Sequence, residues 1–416
     1  MARRITPESD IYDSERLGYQ RSSSHKPDLI FPAETAADVR EAVAHAAAHD
    51  LPVAVQATGH GLARAAEGGV LITTGRLNAV HVNPQTRTAH IEAGAPWSTV
   101  IEAAAVHGLA PLSGSAPAVG AASYTLGGGI GLMARTYGYA ADHVRAVDVV
   151  TADGESHVAT PDHDADLYWA MLGGRGAIGI ATSLEIDLVP VTTLYGGALL
   201  FDTFDAVHAW REWLAHVPEE MTSSVAVIPF PDGRRRTQVR IAYLGEDGDS
   251  LIAPLRRHQP LTDTVKDIPY TATATIHNDP TEPAAYQSSH TLLRELPAEA
   301  VEVARNQTTN VVEIRHLGGA LSRPVRPNAI GNRDAHFLYG IVTRGPEVPP
   351  VHEKTAEALE EWSTGGHALN FLYAAHATPE AVRTAFDPET YQRLRALKAT
   401  YDPADLFRHT HVIEGP

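Results

Sequence analysis

Three clusters of glycine crowd into the first 180 residues of this 416-residue chain, at 59–61, 120–131 and 173–179. Glycine has no Cβ, so the backbone there can lie against a ligand or another backbone and can take positive φ. Backbone N–H groups exposed in this way cradle anionic oxygens. Tight turns explain each cluster singly, but not three in one stretch of chain. Together they suit a long ligand with a diphosphate in its middle.

One stretch fits the dinucleotide pattern GxGxxG by letter and a second resembles it, and context decides against both. Gly174-Arg175-Gly176-Ala177-Ile178-Gly179 follows a helical pattern and precedes a strand. That is the reverse of the strand–loop–helix order that a doubly wound nucleotide fold needs. Gly127 to Gly131 follows AVGAASYTL, which does not read as a strand.

Periodicity gives the frame around the clusters. DLIFPA reads as a strand stopped by Pro32, and ETAADVREAVAHAAAHD as a helix with apolar residues at helical spacing. LPVAVQAT is a strand ending in the turn Thr58-Gly59-His60-Gly61. GGVLITT, AVHVNP and RTAHIEAGA read as strands, and APWSTVIEAAAVHGL as a helix ended at Gly108. The stretch 114–138 is too rich in glycine and small residues for a stable isolated helix. RAVDVVTADGESHVAT reads as a hairpin cornered at Asp153-Gly154, followed by a helix in DADLYWAML and a strand in IATSLEIDLVP.

From about residue 195 the character changes. TFDAVHAWREWLAHV and EKTAEALEEWS are amphipathic helices, and SSVAVIPF, RTQVRIAYLG, NVVEIRHLGG and AHFLYGIVTR are strands of one sheet. Arg234-Arg235-Arg236 reads as a hairpin turn between two of them. The expected class is α+β, with a cofactor domain over 1–193, to which 394–416 returns, and a second domain over 194–393. The second domain is expected to be an antiparallel sheet flanked by helices.

Composition narrows the chemistry. Fifty acidic against 33 basic residues give a formal charge of -17, which repels nucleic acid and anionic lipid. The chain has no cysteine, so disulfides, thiolate metal sites and a cysteine nucleophile are excluded. His45 and His49 stand four apart on a helix, and His409 and His411 two apart, but neither pair has an evident third ligand, so no metal is expected. No apolar run is long enough to span a bilayer, and the Arg3-Arg4 pair has no apolar stretch behind it. A cytoplasmic protein is the expectation, with the oligomeric state open.

The ordered motifs PVAVQATGHG, GGVLITTGRLNAVHVNP, GSAPAVGAASYTLGGGIGLMARTYG, DHVRAVDVVTADG, LYWAMLGGRGAIGIATSLEIDLVP and RLRALKATYDPADLF span nearly the whole chain. They resemble the PCMH-type FAD-binding domain of the vanillyl-alcohol-oxidase and berberine-bridge-type flavoproteins. VVEIRHLGGALSRP and GNRDAHFLYGI resemble the second domain of bacterial members. The resemblance implies FAD, wrapped at its diphosphate by the loop Gln56-Ala57-Thr58-Gly59-His60-Gly61-Leu62. It also implies a covalent bond from His60 to the flavin 8α-methyl. Members with a second, cysteinyl bond carry that cysteine where this chain has Ala116, in Ser115-Ala116-Pro117-Ala118-Val119-Gly120, so attachment here is through His60 only. Val119 falls on the side from which O2 approaches.

The remaining cofactor contacts implied are mostly backbone ones. They map onto Gly120 to Tyr124 with Ser123, onto Gly127, Gly128 and Gly131, onto Tyr137-Gly138 and Asp142, and onto Gly176, Gly179 and Ile180. Many relatives carry Tyr-x-Asn-Phe near the C-terminus, whose tyrosine is a base and whose asparagine sits by the flavin. Here the asparagine is Asn370 and the tyrosine is replaced by Ala368. Oxidising an alcohol or amine removes a hydride and a proton, so another base is needed unless the substrate binds neutral. His367, His409 and His411 are the candidates, because histidine titrates near neutral pH. The resemblance thus implies an FAD-dependent oxidase acting on a small amine, alcohol or secondary metabolite with O2 as acceptor. A dehydrogenase, an oxidative cyclase or a non-catalytic FAD- or metabolite-binding relative are the alternatives.

Overall fold

A computed structural model describes residues 3–307 and 309–415. The outermost ends of the expected domain ranges, at 1–2 and 416, therefore lie outside the described residues. After a short helix at Tyr12–Arg16, β1 (Leu29–Pro32), β2 (Val53–Gln56) and β3 (Val70–Thr73) form a parallel sheet in the order β1-β3-β2. The helix Ala36–Ala48 crosses between β1 and β2. Its start is fixed by a capping box, in which Thr35 accepts from the Asp38 N–H and the Asp38 carboxylate accepts from the Thr35 N–H. Its Val39, Ala42, Val43 and Ala46 pack on Phe31, Val53, Val70 and Ile72 of the sheet.

A second sheet follows, built from β4 (Val80–Asn83), β5 (Thr88–Glu92), β6 (Val144–Val150), β7 (Ser156–Ala159) and β8 (Ile180–Asp187). It is antiparallel, in the order β4-β5-β8-β6-β7. Between β5 and β6 the glycine-rich stretch forms only short helices, at Ala121–Leu126 and Ala134–Tyr137. The hairpin between β6 and β7 turns at Asp153-Gly154.

The eight-stranded sheet begins with β9 (Thr193–Phe201) and continues through β10 (Met221–Pro229), β11 (Arg235–Tyr243), β12 (Thr262–Asp263), β13 (Lys266–Pro269), β14 (Tyr286–Leu293), β15 (Val311–His316) and β16 (Phe337–Arg344). Its order is β12-β9-β11-β10-β15-β16-β14, with β13 also pairing β9, and each pairing is antiparallel. Of the three arginines read as a turn, Arg234 is in the turn, whereas Arg235 and Arg236 begin β11. The helices Asp205–Trp213 and Ala298–Arg305 pack on one face of this sheet, through Trp210, Trp213, Val301 and Ala304. The other face meets the first part of the chain in one continuous core.

After the sheet the chain returns. Helix Pro388–Tyr401 lies against helix Ala165–Gly174, and the Leu406 carbonyl accepts from the Val53 N–H at 2.8 Å. A buried ion pair holds this return. Lys398 Nζ lies 2.5 Å from Asp402 and 2.9 Å from Asp405, while Asp402 also accepts from the N–H groups of Leu406 and Phe407. Asp402 has no exposed side-chain area, so deleting its cation strands a buried charge. Lys398→Ala should therefore cost about 3–5 kcal/mol in urea unfolding, whereas Arg393→Ala, whose pair with Asp166 is exposed, should cost about 1 kcal/mol or less.

Candidate active site

The loop after β2 is shaped by one close backbone contact. Gly59 stands at φ +69, and a Cβ built on Gly18 would come within 2.6 Å of the Gly59 Cα. The N–H groups of Tyr19 and Gln20 donate to the carbonyls of Thr58 and Gly59, at 3.0 and 2.9 Å. This brings the Tyr19 ring onto His60, with ring centres 4.0 Å apart and planes within 11°. Thr58 Oγ1 lies 2.8 Å from His60 Nδ1 and accepts from the Gly120 N–H at 3.2 Å, which ties the first glycine cluster to the second. Burial pulls the His60 imidazole down to about 4, so it is neutral at physiological pH.

His60 lines a cleft of about 900 Å³. Its walls are the loop Gln56 to Ala63, the residues Ser123 and Leu126, the third glycine cluster with Ile180, and the terminal His409 to His411. The chain fits a long, polar, anionic ligand here. Cβ atoms added to Gly61 or to Gly176 would project into open space or light contact, and both ring nitrogens of His409 and Nε2 of His25 lack partners within the protein. Those groups are donors and acceptors that FAD can satisfy.

The structure divides the expected site residues among this cleft and two further cavities. In the cleft lie Gln56, Ala57, Thr58, Gly59, His60, Gly61, Leu62, Ser123, Gly176, Gly179 and Ile180, with His409 and His411. A second chamber, of about 460 Å³, is lined by Ser115 and Gly131 on one side and by β10, β11 and β15 on the other. A third, of about 380 Å³, brings Gly127 together with His367, Ala368 and Asn370. Asn370 Nδ2 donates to the Tyr124 carbonyl at 2.8 Å, so Tyr124 joins these regions by its backbone. Ala116 and Val119 close the turn between them, with the Val119 N–H donating to the Ala116 carbonyl at 3.2 Å.

Four of the expected positions, Asp142, Tyr137, Gly138 and Gly128, line none of these three cavities, and the structure shows what they pack against. Asp142 is fully buried, and its four acceptor positions are filled by Arg333, Asn328 and the Tyr139 N–H. Tyr137 packs edge-on against His143, whose Nε2 bonds the Tyr137 carbonyl. Gly138 admits the Asp142 carboxylate and the Ala320 carbonyl, and Gly128 admits the Tyr139 ring and Ile330. None of the three histidines considered as a base lines the chamber facing the large sheet. His411 donates from Nε2 to the Leu372 carbonyl at 2.6 Å, and His367 Nδ1 is engaged by Thr384 Oγ1 at 2.8 Å.

The chamber holds charged groups that the sequence did not single out. Glu313 is bracketed by Arg240 Nη1 at 2.6 Å and Arg315 Nη2 at 2.8 Å. Burial pushes the Glu313 carboxyl up, but these two guanidinium groups outweigh it and hold it well below the usual carboxylate range. His277 Nε2 lies 3.4 Å from the same carboxylate, and its Nδ1 is buried without a partner. Burial, and the Arg240 charge after it, keep the His277 ring neutral. His277 belongs to no motif; only the folded sheet brings it to Glu313.

Such a glycine-walled cleft, with a neutral histidine in its loop and a polar chamber beside it, is the architecture of a flavin-binding oxidoreductase. The comparisons carry this to a family. Residues 27–160 match the family model described as an FAD binding domain, and residues 369–414 match that of berberine and berberine-like proteins. The chain therefore carries the FAD-binding and berberine-like domains of an FAD-linked oxidoreductase, and FAD is its cofactor. It is 27% identical to an FAD-linked oxidoreductase of Bacillus subtilis, YgaK, over 97% of this chain and 95% of that one. It is 25% identical to (R)-6-hydroxynicotine oxidase of Paenarthrobacter nicotinovorans, over 99% and 96%. Its fold is shared with 6-hydroxy-D-nicotine oxidase from Arthrobacter nicotinovorans, at a TM-score of 0.88 and 21% identity over 100% and 98% of the two chains. Xylooligosaccharide oxidase from Myceliophthora thermophila has the same fold, at 0.87 and 21% over 100% and 97%. Among the described residues no group of three or more histidines or carboxylates is placed to hold a metal. In the described residues no helix is long and apolar enough to cross a membrane.

Several buried histidines give the fold a pH dependence of fixed sign. Burial lowers His25 to about 4 and His290 and His411 to about 3, against an ordinary value of 6.5. The unfolded chain takes up these protons first, so the stability is present above about pH 6.5 and is lost as pH falls toward 4. Chemical denaturation should show ΔG of unfolding falling by more than about 1 kcal/mol per pH unit between pH 6 and 4.5. A flat profile across that window would contradict the burial of these rings.

Proposed function

We propose that this flavoenzyme is an oxidase of small polar organic molecules, with FAD attached through His60 alone and O2 as the electron acceptor. The observation that carries the proposal is the neutral His60 ring, held by Thr58 and Tyr19 with its loop on the cofactor cleft. A neutral imidazole keeps the lone pair that attachment to a carbon requires. No cysteine is available for a second bond.

Bound in the cleft, FAD would supply the hydride acceptor and the two-electron route to O2, with H2O2 as the product. The chain's own residues do the rest in the chamber between Gly131 and the large sheet. Ser115 is fixed there by its bond to Asp279 at 2.6 Å. Arg240 and Arg315, with Glu313 between them, offer donors to hydroxyl, carbonyl or carboxylate oxygens of a substrate. His277 Nδ1, neutral and without a partner, accepts the proton released from the substrate hydroxyl or amine. The names of the relatives support a small organic or sugar substrate.

Three measurements test this. The yellow colour should stay with the polypeptide after acid precipitation and be released from His60→Ala; colour released from the wild type would exclude covalent attachment. Photoreduced enzyme should reoxidise within seconds in air, and slow reoxidation would identify a dehydrogenase. Once a substrate is found by flavin bleaching, His277→Ala should lower kcat by about 10²–10⁴, with its pH profile flattened. An unchanged kcat would remove His277 from the reaction.

A further inference from the structure

Arg175 is a cation without a counter-charge. It lies in the wall of the cofactor cleft, where burial lowers its pKa to about 10. No hydrogen-bond or ion-pair partner reaches its guanidinium among the described residues. Other buried arginines are provided for. Arg135 donates to the Met221 and Leu317 carbonyls, Arg235 to the Ala304 and Arg305 carbonyls, and Arg333 chelates Asp142.

Nothing around the cleft compensates for it. His411 is the titratable group beside Arg175, and the cation drives that ring further toward its neutral form. The carboxylates that act on His409 across the cleft are committed elsewhere, Asp405 to Lys398 at 2.9 Å and Glu67 to Lys26 at 3.1 Å. The guanidinium thus faces the cleft as an unpaired cation, and an anionic oxygen of whatever fills the cleft completes the pair. The backbone carries a cost at the same position. Arg175 stands at φ +51, a region that residues with a Cβ avoid, although both its neighbours are glycines. Its stem packs toward the second glycine cluster, where a Cβ on Gly127 would come within 3.3 Å of Arg175 Cδ.

We propose that Arg175 is the counter-ion of bound FAD, taking an anionic oxygen of the cofactor. That oxygen belongs to the diphosphate or to the reduced isoalloxazine. The proposal rests on FAD as the cofactor and is independent of the oxidase reading, of covalent attachment and of the substrate. The third glycine cluster then has two tasks, close approach by its glycines and charge neutralisation by the arginine inside it.

The test compares the full-length wild type with Arg175→Gln and Arg175→Lys, each made in riboflavin-limited cells as apoprotein. The apo and FAD-loaded forms are melted, FAD uptake is titrated, ADP binding is measured by calorimetry, and the two-electron potential of the loaded flavin is determined. Apo Arg175→Gln should melt at or above the apo wild type, because an unpaired cation has gone, yet its FAD-loaded form should melt below the loaded wild type. Arg175→Lys should stay close to the wild type in both states. Loss of at least tenfold in both FAD uptake and ADP affinity places the guanidinium on the diphosphate. Unchanged ADP affinity with a potential lowered by about 30 mV, a tenfold weaker hold on reduced than on oxidised flavin, places it on the isoalloxazine. The proposal is overturned if apo Arg175→Gln melts below the apo wild type, which would make Arg175 a support of the fold. It is overturned equally if Arg175→Gln matches the wild type in FAD uptake, ADP affinity and potential. A wild type that takes up no FAD would instead overturn the cofactor assignment itself, an outcome separate from either.

Discussion

The contact between the Gly18 and Gly59 backbones sets the geometry on which the rest of the site depends. Neither residue can carry a Cβ, because each would drive into the backbone of the other within 2.6 Å. The approach lets the Tyr19 and Gln20 N–H groups donate to the loop and lays the Tyr19 ring on His60. A stacked pair of this kind contributes about 0.5–1.5 kcal/mol beyond the area it buries. Its larger effect is to exclude water from one face of the imidazole, which keeps His60 neutral. Thr58 extends the same constraint to Gly120, so the first two glycine clusters are positioned by one hydroxyl.

The rest of the cleft is closed by chain from far away in sequence. The segment after helix Pro388–Tyr401 delivers His409 and His411 to it, and that segment is held by the buried Lys398–Asp402 pair. On the opposite side, Arg135 ties the glycine-rich stretch to the large sheet through the Met221 and Leu317 carbonyls. The cofactor cleft and the chamber are therefore positioned by ion pairs and charge-assisted bonds between distant segments. Each such bond, once desolvated, is costly to break singly.

How much of this the sequence shows follows from the range of each constraint. Glycine clusters, the hairpin at Asp153-Gly154 and the cap at Thr35 are local, so their letters state them directly. β9 and β14 are another matter. β9 contains Gly196-Gly197, which weaken any strand pattern, and Gly197 is required because a Cβ there would come within 2.6 Å of the Thr264 carbonyl. β14 carries Gln287, Ser288 and His290 as buried polar residues, which hides its inward face. Asp142 shows the opposite case: its motif position is legible, but the Arg333 and Asn328 that saturate its carboxylate lie some 190 residues on. Arg175, His277 and Glu313 acquire their character only from what surrounds them, an absent partner in one case and two arginines in the other.

The replacement of a base-carrying tyrosine by Ala368 has a structural counterpart. The Ala368 N–H donates to His290 Nε2 at 2.8 Å and His367 Nδ1 is engaged by Thr384 Oγ1, and among the described residues neither histidine lines the chamber against the large sheet. Acid–base chemistry on the proposed reading therefore moves across the site to the large sheet. There Glu313 is a weak base, because two guanidinium groups lower its proton affinity and occupy its oxygens. Its role is to fix Arg240 and Arg315 and to face His277 Nε2, which leaves Nδ1 of that ring as an unpaired acceptor at the chamber, alongside Nδ1 of His316. A carboxylate that orients a neutral imidazole is a common way to hold one tautomer in place. The covalent hold on the cofactor and the proton transfer are thus assigned to two histidines in separate cavities, and each can be removed without disturbing the partners of the other.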